Sequence, residues 1–173
     1  YHTRRSKMPK LRLRAVSTYA IVVAVLLEVG MVVIGSIFIA MGFDAKRDIN
    51  NALLKERVIT SQDATIPGVL VQDAETARAQ QDAIETHTFG RFGPYSGMER
   101  DDPNREVYLN GLTLRNALNL AIVGYGVADL AIGVGAVTIV LGLIIGGFAV
   151  PVHLLVLKVQ RHDFQLETLF ARA

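Results

Sequence analysis

A chain of 173 residues, 51% of them hydrophobic and with a mean hydropathy of +0.34, is too apolar for an average soluble domain and too short for a multi-span transporter. The absence of cysteine excludes a disulfide, a thiolate nucleophile and any Cys-ligated metal or iron–sulfur site. The formal net charge of +2 conceals an asymmetry, because Arg4, Arg5, Lys7, Lys10, Arg12 and Arg14 crowd a start that holds no acid, and the remainder is mildly acidic.

Residues 1–14 form a basic segment directly before an apolar run, which is the pattern of a topology signal rather than of a nucleic-acid-binding tail. A chain opening on Tyr1 rather than Met is expected to be preceded by further residues of its gene product. Residues 15–43 follow with Glu28 as their only charge. The run is too long for the h-region of a signal peptide and has no convincing small-x-small cleavage site, so it is expected to be a retained transmembrane helix. Six basic residues before it place the start in the cytoplasm.

Residues 44–114 are then extracytoplasmic, with eight Lys or Arg against twelve Asp or Glu. Ile49, Leu53, Leu54 and Val58 at helical spacing predict that the first helix continues to about Thr60, with Ile66-Pro67-Gly68 as the breaker. Asp73 to His87 predicts a short second helix. Phe89 to Gly97 holds too much Gly and Pro for regular structure, yet carries three aromatics that need a surface to pack on. Asp102 and Pro103 read as the N-cap and first position of a further helix. Together these elements predict a small helical cap.

From Ala117 to Leu157 there is one acid, Asp129, and no Lys or Arg. At about 1.5 Å per residue this run is roughly 60 Å long, twice a hydrocarbon core of about 30 Å. Its middle, Ala131 to Val137, offers no polar side chain to satisfy a turn in lipid, so one long helix over residues 115–157 is preferred to a folded-back pair. Residues 158–173 form an amphipathic cytoplasmic tail, with Leu166, Leu169 and Phe170 on one face. The fold expected is an all-α membrane protein with two transmembrane helices, the second long, and a small extracytoplasmic helical cap.

Glu28 is the strongest chemical feature, because an acid near mid-bilayer is costly and faces a bundle interior or a watery path. Its face is small, with Ala20 and Ala24 on one side and Gly35 and Gly42 on the other. Two readings stand: a proton-relay carboxylate, or a neutral packing acid hydrogen-bonded to Thr138, which the centres of the two apolar runs place at similar depth. Asp129 falls roughly 12 Å outward of the second run's centre, near the outer interface and away from Glu28. His153 is a candidate haem or pigment ligand, although a bis-histidine site needs a second membrane histidine that a partner would have to supply. His87 ends a short helix, where it serves the helix dipole or, with nearby carboxylates, a metal. No catalytic constellation is present and no metal set is expected.

Packing is the best-supported molecular activity. Ala128, Ala131, Gly135, Thr138, Gly142 and Ala149 follow heptad-like spacing, and Gly142-x-x-x-Gly146 adds a close-approach motif; one such small face can pair with the first span, where Gly35 is a further packing residue. Gly126 and Gly133 are left over and point to another helix.

The segment from Leu54 to Ile59 (Leu-Lys-Glu-Arg-Val-Ile), with Ser61, Asp63-Ala64, Asp73, Thr76-Ala77, Gln80, Ile84 and His87, resembles a family of small two-span bacterial membrane proteins. Tyr95, Asp101-Asp102-Pro103, Arg105 and Leu114-Arg115 extend the resemblance, which covers residues 50–135. Members often carry the label of aromatic ring-opening dioxygenases. The resemblance implies the two-span topology and helical cap, but not the label, since a non-haem iron dioxygenase needs two His and a carboxylate and the outer segment holds one His. The function expected is a non-catalytic accessory subunit in the bacterial cytoplasmic membrane. It would pack with the bilayer and the transmembrane subunits of a larger complex, such as a respiratory or photosynthetic one. The alternatives are a proton-relay, pigment- or haem-binding component and an extracytoplasmic sensor.

Overall fold

The computed structural model describes residues 10–170, with side chains over residues 18–159 and at 161. The basic residues before Lys10 and the side chains of Leu166, Leu169 and Phe170 lie outside the described set. Among the described residues four α-helices run in order: α1 (Lys10–Glu56), α2 (Ala74–His87), α3 (Phe89–Phe92) and α4 (Arg105–Phe170), with one 3-10 turn at Tyr95–Gly97. The described residues hold no strand, only an isolated antiparallel bridge between Ile59 and Leu70. The protein is thus all-helical, and α1 and α4 are long and apolar enough to cross a membrane. α4 passes through Pro151 without ending. Such a proline is tolerated where neighbouring groups re-satisfy the backbone carbonyl it frees.

The chain divides into two compact units. One combines α1 up to Ile37 with α4 from Val134, and the other is Phe38–Gly133.

In the helical-pair unit the usual arrangement of side chains is inverted. Gly35, Gly135, Gly142 and Gly146 are buried, while Leu26, Val33, Leu143 and Phe148 are 67, 53, 54 and 70% exposed. A soluble protein that exposed such a band would aggregate; in lipid, tails solvate the large side chains and small residues let backbones meet. A Cβ on Gly35 would fall 2.6 Å from the Gly135 carbonyl oxygen and 2.6 Å from Ile139 Cγ1. One on Gly142 would lie 3.2 Å from the Glu28 carbonyl oxygen. Only glycine permits that approach.

In the unit Phe38–Gly133 the same two helices carry a water-type core. Val71, Ala77, Ile84 and Leu118 are buried together, with Leu53, Val58 and Ile122 packed around them. α1 stops at Glu56 because Arg57 takes a left-handed φ of 49°, four residues before the predicted end. The following loop doubles back as an irregular hairpin: Val71 N–H donates to Val58 O at 2.8 Å and Thr60 N–H to Val69 O at 2.8 Å. Ile66-Pro67-Gly68 sits at its turn, with Gly68 at φ 69°, so it closes a loop rather than breaking a helix. The Thr60 hydroxyl accepts from Val69 N–H at 2.9 Å inside this loop.

α2 begins with a full capping box. Asp73 Oδ1 accepts from Thr76 N–H at 2.8 Å, and Thr76 Oγ1 accepts from Asp73 N–H at 3.2 Å. Its inner face is Thr76, Ala77, Gln80, Ala83 and Ile84. Gln80 Oε1 accepts from Ser61 N–H at 2.7 Å, tying the loop to the helix. The Gly-rich stretch after α2 is more regular than expected, since α3 and the 3-10 turn occupy it. Tyr95 packs on Tyr108 with ring centroids 5.7 Å apart, and Arg105 lies over the Tyr95 ring. Phe89, by contrast, is 48% exposed and has not found a buried site. α4 starts two residues later than Asp102-Pro103 suggests. Asp102 instead forms an Asx turn, its Oδ1 accepting from Asn104 N–H at 2.8 Å, and Asn104 is the residue before the helix.

The Thr76 N–H donated to its carboxylate, against a smaller opposing effect of burial, holds Asp73 below its ordinary value of 3.8. The contribution of Asp73 is therefore complete above pH 3.8 and is lost as the pH falls through the lower folded value. Asp73→Ala is expected to remove about 1 kcal/mol at neutral pH, read as faster amide exchange in α2, with the difference from the parent vanishing in strong acid.

Candidate functional site

The two acids inside the apolar stretches, Glu28 and Asp129, fall in different units. In the helical-pair unit, Glu28 is half-buried on the α1 face that carries Gly35 seven residues on. Its carboxylate occupies the space above Gly146, where an added Cβ would overlap it, and Met31 Cβ comes within 3.0 Å of a Cβ on Gly142. The glycine pair of α4 is thus a receptacle for the acid of α1.

This geometry corrects the expected Glu28–Thr138 bond. The Thr138 hydroxyl donates to Val134 O at 2.7 Å, within its own helix, and Glu28 meets α4 about two turns further along. The centre of the apolar run was a misleading guide to depth. Leu118, Tyr125 and Ala128 at its start are buried, and Leu118 belongs to the core with Val71 and Ala77, so one face of this stretch packs on protein while Leu120, Val123 and Val127 stay exposed.

In the unit Phe38–Gly133, Asp129 pairs with Lys46 Nζ. The partner was missed because Lys46 lies in the stretch read as following the first span. Matching Gly42 to Ala128, whose carbonyl oxygen is 2.7 Å from a Cβ on Gly42, would have brought it opposite. Beside this pair is a polar cavity of about 590 Å³ that also receives Asn50, Gln72, Asp73 and Tyr125. Tyr125 OH donates across it to Gln72 O at 2.9 Å, while Asn50 Oδ1 is buried with no hydrogen-bond partner. Arg115 reaches Glu85 at 3.7 Å, so α4 is attached to both ends of α2.

His87 Nε2 lies 2.6 Å from Asp63 Oδ2, linking the hairpin loop to the end of α2. A histidine held by a carboxylate is two parts of a nucleophilic triad, but among the described residues no Ser or Thr hydroxyl hydrogen-bonds to that ring. The same set contains no group of three or more His, Asp or Glu side chains placed to hold a metal. His153 is half-buried in α4, two residues beyond Pro151. What these arrangements do chemically is hold helices: a carboxylate over glycine, an ion pair and a carboxylate–imidazole tie.

If the Glu28 carboxylate fills the space that Gly146 leaves, the two residues must be energetically coupled. Gly146→Ala is expected to destabilise the helix pair, and Glu28→Ala/Gly146→Ala to recover part of the loss, with a coupling of about 1 kcal/mol in a double-mutant cycle of thermal unfolding in detergent. Strict additivity would remove the contact from the account. Glu28→Gln, which keeps the shape, should leave stability within about 0.5 kcal/mol. No family model, no curated protein and no solved structure matches the chain.

Proposed function

We propose that this chain is a two-span protein of the bacterial cytoplasmic membrane, with both ends cytoplasmic and residues 44–114 forming an extracytoplasmic helical cap. It serves as a non-catalytic accessory subunit of a larger, energy-converting membrane complex. The observation that carries the subunit reading is a second glycine stripe. Added Cβ atoms at Gly126, Gly133 and Gly147 would meet nothing within 4 Å, unlike those at Gly124, Gly135, Gly142 and Gly146. Gly126 and Gly133 are seven residues apart, so both share one face of α4. Bare backbone facing lipid has no advantage over alanine or leucine, which are better helix formers; bare backbone facing another helix gains close contact. The polar ties described above give the cap rigidity without assembling a nucleophile, which suits a docking part better than an enzyme. The resemblance to small two-span bacterial proteins points to the same topology.

The relay alternative keeps one observation in its favour, the placement of Glu28 inside a helix seam. Retention of a proton-coupled activity in Glu28→Gln excludes it, because an amide cannot exchange a proton in its place.

Single cysteines at Arg14 and Ser96 are expected to label oppositely with an impermeant thiol reagent applied to intact cells; modification of both from outside contradicts the topology. For the subunit reading, the discriminating substitution is Gly133→Leu. Gly142 and Gly146 contact α1 and so report on the fold of the chain itself, whereas Gly133 reports on a neighbour. Gly133→Leu should preserve thermal stability of the isolated chain to within about 0.5 kcal/mol while abolishing its migration with a larger assembly in mild detergent. Unchanged migration would refute the stripe as an interface.

A further inference from the structure

In the unit Phe38–Gly133 an open-sided cleft of about 770 Å³ runs between the end of α1 and the start of α4. Its size lies within the range of about 300–1,000 Å³ usual for small-molecule sites. Along α4 it extends from Asn110 to Gly124, roughly 21 Å at helical rise. Its lining changes character from end to end. Glu56, the last residue of α1, lies at one end with Asn110 and Thr113 of the first turns of α4. Leu53, Ala117 and Ala121 make the walls, and the floor closes where Gly124 meets Ile49.

We propose that this cleft binds a neutral single-chain amphiphile of the monoacylglycerol class, its hydrocarbon chain between Leu53 and Ala121 and its hydroxyl-bearing end at Glu56, Asn110 and Thr113. Size decides against a peptide helix. A helix about 10 Å across would need roughly twice this volume over the same length, so it would lie on the cleft rather than in it. An extended peptide would leave amide groups along the apolar walls without partners. A hydrocarbon chain carries no such groups, and its polar end meets polar groups only at the end that has them. Glu56 is the only charged residue of the lining, and a carboxylate there accepts from hydroxyl donors and repels an anionic head. Leu120, 73% exposed on the lip, leaves the long side of the cleft open to a chain entering sideways.

The inference rests on the membrane placement of the long helices, not on the subunit reading. The test uses the full chain in phosphatidylcholine nanodiscs with a monoacylglycerol carrying a photoreactive diazirine in its chain, and adducts are mapped by mass spectrometry. Adducts are expected on residues 49–58 and 110–124, displaced by unlabelled monoacylglycerol about tenfold more effectively than by the fatty-acid anion of equal length. Ala121→Phe, which fills the cleft, should reduce them about tenfold while leaving adducts on Leu143–Phe148 unchanged. Glu56→Lys should reverse the preference toward the anion. Where Ala121→Phe loses helical circular dichroism, the exposed Glu56→Lys substitution decides. Adducts spread evenly along both helices, equal displacement by the anion, or protection of the cleft only in a dimeric fraction each overturn the proposal. Loss of adducts on Leu143–Phe148 as well identifies the membrane placement as the step that failed.

Discussion

Two helical backbones approach closely where at least one of them carries no side chain at the contact, and α1 and α4 meet that condition at Gly35 against Gly135 and at Gly142 and Gly146 against Glu28. In a hydrocarbon solvent the association of two apolar helices would gain nothing from removing Leu or Val from lipid, and dispersion contacts along such a seam would supply the attraction. The exposed Leu26, Val33, Leu143 and Phe148 accompany that choice, because a seam made of small residues leaves the large ones on the outer face. Glu28 fits the same logic. An acid inside a seam is tolerated where the opposite helix makes room for it, and Gly146 makes that room.

Where the loop and α2 pack on the long helices in the unit Phe38–Gly133, a different rule holds. There Leu118 and Val71 are 1 and 0% exposed, and the loop between α1 and α2 is fastened by three polar contacts: Thr60 to Val69, Gln80 to Ser61, Tyr125 to Gln72. The loop has no regular ladder to satisfy its backbone, so side-chain oxygens complete what the isolated Ile59–Leu70 bridge begins. The same α4 therefore contributes Leu118 to one core and Gly142 to one seam, under two opposite rules for which residues are inside.

That change of rule explains what could be read from the sequence. The two long helices and α2 were legible, because uncharged length, helical spacing and a run rich in Ala, Gln and Glu each reflect a local physical cause, whereas the cap at Asp73 was not read. The continuity of α4 was legible from the absence of any group able to satisfy a turn near Gly133. The helix register was not, since Leu118 and Leu143 look alike in sequence although one is buried in protein and the other faces outward. Thr138 was consequently matched to Glu28 in place of Gly146. Lys46 was passed over for a related reason: an ion pair between distant segments leaves no local periodicity. The Asp63–His87 tie joins residues whose spacing signals nothing, and the left-handed Arg57 that ends α1 carries no glycine to announce it.

The division of the chain also has a consequence in time. The helical pair is assembled from two stretches with the whole of Phe38–Gly133 between them. Glu28 leaves the ribosome roughly 120 residues before the glycine that accommodates it, which at about 5–20 residues per second is a wait on the order of ten seconds. During that interval the newborn first helix holds an acid with no seam around it. A mature contact that looks static is, during synthesis, a vacancy.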